Sequence, residues 1–283
     1  MSNALAVLSN GKAELTELEQ AILAEVESDA GQAYDYVPTR IKFPSGGMMD
    51  FSTNDGEILK PPFTAIVAVA QKARAFWPDK DTQGLPPLCA SPDGSAGMFD
   101  TAAEEQVKVA LGLPFRHPAL DMLDPVAAKG PHSCATCSLA QWGSGSGRGQ
   151  LCKALRRLVL VVEGWSMPAI ITLPPTSVKV WDAYASAVAR TKGQAYFTAW
   201  TKFDLAPATS TAGIKYGVLK ASIAKPLSAD ETRAVLDIRR QYSDLVRGLG
   251  IDADDYATVD TADARRVDVE TGEIIDGGDL PPF

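Results

Sequence analysis

Apolar positions recur along this chain in two periods, and the changes of period mark its elements. In ELTELEQAILAEVE (14–27), Leu15, Leu18, Ile22 and Val26 stand at helical spacing and predict a short helix. FTAIVAVAQKARAFW (63–77) opens as a β-branched apolar run and predicts a strand, at least at its start. Residues 78–152 lack either period and are rich in Gly, Pro and Ser, so they predict a long irregular insertion ordered by something other than a core. LRRLVLVVEGWSMPAIITL (155–173) places two apolar runs around Glu163-Gly164, a hairpin signature. In PPTSVKVWDAYASAVARTKG (174–193), Thr176 or Ser177 can cap a helix whose Trp181, Tyr184, Ala185 and Val188 share a face, and Gly193 stops it. A second hairpin follows, QAYFTAWTKFDL and GIKYGVLKASIA joined by APATSTA. SADE (228–231) is a capping box that opens a helix to about Leu249.

These elements predict a mainly β chain with α additions, an α+β fold built as a small OB-like barrel with a cysteine-bearing loop subdomain and a C-terminal helix. The OB-fold is the commonest small barrel of this kind that binds nucleic acid. Residues 1–250 form the expected body, 78–152 its insertion, and 251–283 a disordered acidic tail, being poor in bulky apolar residues. Val235, Ile238, Tyr242, Leu245 and Leu249 follow 3-4 spacing, which serves either a homo-oligomer seam or docking onto the barrel.

Charge changes this picture more than composition does. The 283 residues carry a net −8, yet residues 251–283 alone hold ten acids against two bases. Residues 130–225 hold eleven Lys and Arg against Glu163, Asp182 and Asp204. An acidic protein thus has a basic middle, and it is there that nine of the 21 aromatics fall, between 142 and 216. Rings interleaved with cations suit single-stranded nucleic acid, whose bases stack while its phosphates are tracked. A strand period across YFTAWTKF puts Tyr196, Thr198, Trp200 and Lys202 on one face, with Phe197, Ala199 and Phe203 on the other as core. The next strand adds Lys215, Tyr216 and Lys220. The glycine loop WGSGSGRG adds Trp142 and Arg148, followed by Lys153, Arg156 and Arg157, of which adjacent arginines only one can face a ligand. Trp181 and Tyr184 read as core, and Trp165 stands between the two roles.

The four cysteines all lie in or beside the irregular insertion: Cys89, Cys134, Cys137 and Cys152. Cys134-x-x-Cys137 is the usual half-site for tetrahedral zinc, and the other two complete a structural Zn²⁺ site that would order a Gly/Pro-rich segment. Four free buried thiols or a redox pair are the alternatives, and His117 or His132, the chain's two histidines, could replace one cysteine, Cys89 being the most remote. No phosphate loop, dinucleotide fingerprint, nucleophile elbow or paired-carboxylate constellation appears, so no enzyme is expected. No run of 18 apolar residues occurs, and the start lacks a basic leader, which points to a cytoplasmic protein with no membrane partner.

The chain ends DGGDLPPF. This resembles the C-terminal tip of bacterial single-stranded-DNA-binding proteins at Asp276, Asp279, Leu280, Pro282 and Phe283, with Pro281 as an extra proline. The resemblance implies docking of replication or recombination enzymes through the terminal Phe. The body is similar in architecture to zinc-containing single-stranded-DNA-binding proteins of phages and mobile elements, the T-even phage type among them, although that type carries three cysteines and a histidine. Together the two resemblances imply a non-enzymatic protein that binds single-stranded DNA with little sequence preference in a bacterial host. A zinc-ribbon protein–protein adaptor and a strand-annealing recombinase are the alternatives.

Overall fold

A computed structural model describes residues 38–44, 47–78, 85–112, 130–145, 149–192, 195–209, 213, 215–251, 255, 266–267 and 274–275. The predicted helix at 14–27, His117, Arg148 and the tip at 276–283 lie outside these.

The long apolar run predicted at 63–77 is a single strand, β4 (Phe63–Phe76), and it organises the molecule. Along one edge it pairs antiparallel with β8 (Lys153–Val162), which pairs in turn with β9 (Ala169–Leu173), the hairpin expected around Gly164. β9 runs parallel to β1 (Thr39–Lys42), and β2 (Phe51–Thr53) and β3 (Ile58–Leu59) continue the sheet. The other edge of β4 is shared. Its first residues pair with β10 (Ala199–Thr209), which forms the second predicted hairpin with β11 (Lys215–Pro226). Its last residues pair with β5 (Cys89–Ser91), followed by β6 (Ala96–Phe99) and β7 (His132–Ser133).

The result is an open, mixed sheet with a few helices, an α+β arrangement. It curls: a Cβ at Gly217 in β11 would lie 3.6 Å from the Met49 sulfur just ahead of β2. No ladder joins these two ends among the described residues, so the pairings stop short of a closed barrel.

Each face of the sheet carries a core. On one, Phe43, Phe51, Phe63 and Phe203 follow one another at ring separations of 5.4, 5.2 and 5.1 Å, beneath Trp181 of α2 (Pro175–Lys192). That helix begins one residue ahead of its expected caps; Ser177 is buried and its Oγ accepts the Leu219 N–H at 3.1 Å. On the other face, Ile66, Val159, Val161, Ile170 and Trp200 meet Val235, Ile238 and Tyr242 of α3 (Ala229–Gly248). The 3-4 stripe of α3 therefore docks onto the sheet. Its predicted capping box is present, with Ser228 accepting from Glu231 N and Glu231 from Ser228 N.

The insertion is more ordered than its composition predicts. Helix α1 (Thr101–Leu111) is capped by Asp100, whose carboxylate accepts from Ala102 N and Ala103 N, and Gly112 ends it at φ 63°. Ala103 and Val107 pack with Phe76, Leu88, Leu139 and three of the cysteines in a small separate core.

The body also extends past residue 250. Ile251 packs against Ala73, Ala75, Trp77 and Leu155. Asp255 is buried, accepting from Arg40 Nη1 at 2.6 Å and Thr172 Oγ1 at 2.9 Å. Farther on, Arg266–Val267 (β12) pairs with Ile274–Ile275 (β13). A tail expected to be disordered from 251 is thus anchored at least to Asp255, because one apolar and one charged side chain find partners on the sheet. No helix among the described residues is long and apolar enough to cross a membrane.

Candidate metal centre and basic face

Strand pairing brings the four cysteines to one place although 63 positions separate the first from the last. Cys89 opens β5 opposite Phe76 of β4. Cys134 follows β7, held by its N–H donating to the Ser95 carbonyl at 2.8 Å. Cys137 begins the 3₁₀ turn Ser138–Ala140 and accepts the Ala140 N–H at 3.1 Å. Cys152 precedes β8 and donates its N–H to Leu139 O at 2.8 Å. The turn itself is knit by backbone and hydroxyl: Gly143 N donates to Gly149 O at 2.9 Å, and Ser144 Oγ donates to Leu139 O at 2.9 Å while accepting from Leu151 N at 3.0 Å.

All four thiols line one cavity of about 10 Å³, with Arg74, Phe76, Ser91, His132, Leu139 and Ala140. That is room for about one water-sized sphere. Burial pushes the Cys89 thiol far above the ordinary thiol range, and the charges of Cys152, Cys134 and Cys137 add to it. Burial also raises Cys152, to about 12, and Cys134, each opposed by Arg74, whose Nη1 donates to Cys152 O at 3.5 Å. A nucleophilic thiol needs a lowered pKa, and Cys134 of the C-x-x-C pair is shifted the other way by burial.

Among the described residues no three His, Cys, Asp or Glu side chains stand in a ready-made coordination shell. The four thiols line the cavity without forming such a shell, and holding an ion would require them to lose their protons and draw together. A four-thiol lining, one small cavity and a nearby arginine fit a divalent, thiophilic ion. Sequence reading did not single out Arg74 or Gly97, although both face the centre. The period-two pattern of β4 could have found Arg74. Nothing local marks Gly97.

The basic, aromatic residues do not share one surface. Lys202 and Lys220 are exposed and Tyr216 half-buried on the same face of the β10–β11 hairpin, since Lys202 pairs with Ser222, Asp204 with Lys220 and Ala208 with Tyr216. Lys215 is half-buried on the opposite face. Lys153 is exposed, with Nζ donating to Gln150 O at 2.8 Å. Trp142 lies in the cysteine turn and is 72% exposed.

Four expectations are corrected. Trp200 is 2% exposed, covered by α3, with Nε1 donating to Glu231 Oε1 at 3.4 Å. Tyr196 is in a 3₁₀ turn rather than a strand, packs edge-on to Trp181, and its hydroxyl accepts from Ala70 N and Arg239 Nη1. The alternation assumed across 196–202 fails because the strand begins at Ala199 and shifts register between Trp200 and Thr201. Arg156 forms a forked pair with Asp182 of α2, at 2.9 and 2.7 Å. Arg157 is fully buried, donating to the carbonyls of Val246, Leu249 and Gly250 at the end of α3.

Comparison of the chain with protein-family models, with curated proteins and with solved structures finds no match. The functional reading therefore stands on these residues and their placement.

Proposed function

We propose that this is a non-enzymatic single-stranded-DNA-binding protein with a structural zinc centre, acting in replication or recombination of a phage or mobile element. Its curled sheet serves as an OB-like platform, with phosphates tracked by the β10–β11 hairpin. The observation that carries this reading is the outward face of that hairpin. Lys202 and Lys220 stand on it in adjacent cross-strand pairs, Lys202 with Ser222 and Lys220 with Asp204, and the same face continues through Ala206 and Val218 to Ala208 and Tyr216 toward the tip. Tipward of the two cations, Ala206 and Ala208 leave a low strip along which a backbone can lie, and Tyr216 supplies a stacking ring. The hairpin and the cysteine subdomain sit on the same edge of β4, at Ile66 and Arg74. At about 3.3 Å per residue these are about 26 Å apart, so one strand of DNA could run from the lysines toward Trp142. Folding of the cysteine subdomain on zinc would hold Trp142 in place.

Titration of fluorescent oligo-dT over a range of salt tests this. The Lys202→Ala/Lys220→Ala variant should bind more weakly, with a salt slope shallower by about 1.4, at about 0.7 per phosphate contact in single strands. Trp142→Ala should cost about 1–3 kcal/mol of affinity. Unchanged binding in both variants would move the DNA to another face. No binding by the wild type would favour the adaptor reading, for which the exposed Met98, Val109 and Trp142 of the cysteine subdomain are the relevant observation.

A further inference from the structure

Among the described residues five soft or borderline donors, not four, reach the cavity: the four thiols and His132. Tetrahedral zinc takes four, so one must play another part. Granted the zinc reading, on which this inference rests, geometry decides which donor stands aside.

His132 Nε2 lies 3.8 Å from Cys89 Sγ. Two ligands of one tetrahedral zinc, at about 2.3 Å for sulfur and about 2.0 Å for nitrogen, would stand about 3.5 Å apart, so distance alone fits either shared coordination or an N–H···S hydrogen bond. The other ring nitrogen decides. His132 Nδ1 is buried with no hydrogen-bond partner. A histidine that ligates through Nε2 carries its proton on Nδ1 and gives it to a carboxylate or carbonyl. Here that proton would be buried with no acceptor. With the proton on Nε2 instead, the only orphan is an acceptor lone pair, the cheaper of the two to bury.

We propose that His132 is not a metal ligand but the positioning residue of Cys89, its Nε2–H donating to the Cys89 sulfur in the metal-bound tetrathiolate. Gly97 makes the contact possible. It pairs with His132 across β6–β7, and a Cβ there would stand 2.9 Å from Nε2 and Cε1 of the ring and 3.1 Å from Cys89 Sγ. Any side chain at 97 separates donor from sulfur. Four thiolates around a divalent cation carry a net double negative charge. Among the described residues, Arg74 on β4 lies on the cavity wall as a positive charge that offsets part of it, and the His132 N–H on β7 adds a neutral hydrogen-bond donor.

The test uses the full-length protein loaded with cobalt(II) in place of zinc, read by absorption spectrum, metal stoichiometry and transfer of metal to a chelator. His132→Ala should keep one metal per chain and the wild-type tetrathiolate spectrum, yet release metal about 10–100-fold faster. His132→Gln, which retains an N–H donor, should recover part of that loss, and Gly97→Ala should resemble His132→Ala. Cys89→Ser should lose the tetrathiolate spectrum even with His132 intact. A changed ligand-field spectrum in His132→Ala, or wild-type metal retention in Cys89→Ser, would make His132 a ligand and overturn the proposal. Wild-type release from His132→Ala would also overturn it, leaving the ring a bystander. If the wild-type protein binds no metal at all, the zinc reading itself fails, an outcome that none of the variant results mimics.

Discussion

Trp200 and Arg157 both carry side chains common in nucleic-acid interfaces, and both are spent inside the protein. Trp200 sits over Ile66 and under α3, while Lys225 covers its ring at 4.9 Å from the centroid. Truncation to Ala should therefore destabilise the fold by about 3–5 kcal/mol, as core aromatic deletions do, and leave the DNA affinity of the folded fraction unchanged. Urea unfolding and oligo-dT titration of the same variant separate the two effects; lost affinity at wild-type stability would restore Trp200 to the interface. Arg157 terminates α3 from outside the helix. Its guanidinium collects three carbonyls at the negative end of the helix dipole, where a cation is favoured. Arg157→Met keeps the apolar stem but leaves those carbonyls without this donor. It should cost at least about 3 kcal/mol in urea unfolding, at about 1–3 kcal/mol per buried group.

Among the elements, β4 decides the layout because its two ends bind different partners on one edge. The hairpin half depends on Phe63 stacking on Phe203 and Trp200 beside Ile66, an ordinary apolar core. The cysteine half has a much smaller core, and its turns are held by Asp93, whose carboxylate accepts from Ser95 N, Ser95 Oγ and Ser91 Oγ and is lowered to about 2 by the Ser95 hydroxyl first. Removing metal with a chelator should therefore unfold residues 85–152 locally, seen as loss of amide protection there, while β8, β9 and the hairpin remain protected. Full protection of the turn at 134–152 after chelation would show that it needs no ion. Acid should act on the turn between β5 and β6. The folded Asp93 carboxyl titrates below the unfolded one, so its contribution is present above pH about 4 and is lost as pH falls toward about 2.

At the scale of the whole molecule, charge is divided between the body and the tail, and the anchor at Asp255 fixes where the division falls. Residues 256–283 hold seven acids and two bases. Under the proposed DNA-binding role they would compete with DNA phosphate for the cations of the hairpin, most strongly where screening is weak. Deleting 256–283 should raise oligo-dT affinity clearly at about 50 mM salt and less at about 300 mM, and should abolish capture of replication or recombination enzymes through Leu280 to Phe283. Deleting from 251 should instead destabilise the protein by about 3–5 kcal/mol, since it removes Ile251 and the carboxylate that Arg40 and Thr172 share. Weakened DNA binding at low salt in the shorter deletion would make the tail a contacting element.

What the sequence determined by itself is local. Period-two and period-3.6 runs placed β4, both hairpins, α2 and α3, and Ser228 with Glu231 marked a helix start to the residue, because such signals depend on neighbours only a few positions apart. The Cys134-x-x-Cys137 spacing likewise marked two of the four thiols that line the cavity. Tertiary structure alone decided which side chains were left for function. Trp200 is kept from solvent by α3 while Trp142 on the cysteine turn is left exposed, and Arg156 is taken by Asp182 on a helix 26 positions away. The convergence of Cys89 with Cys152, the place of His132 beside Gly97 and the burial of Asp255 against Arg40 also depend on strand order. Strand order is set by burial of two faces at once, a constraint that no single window of the sequence contains.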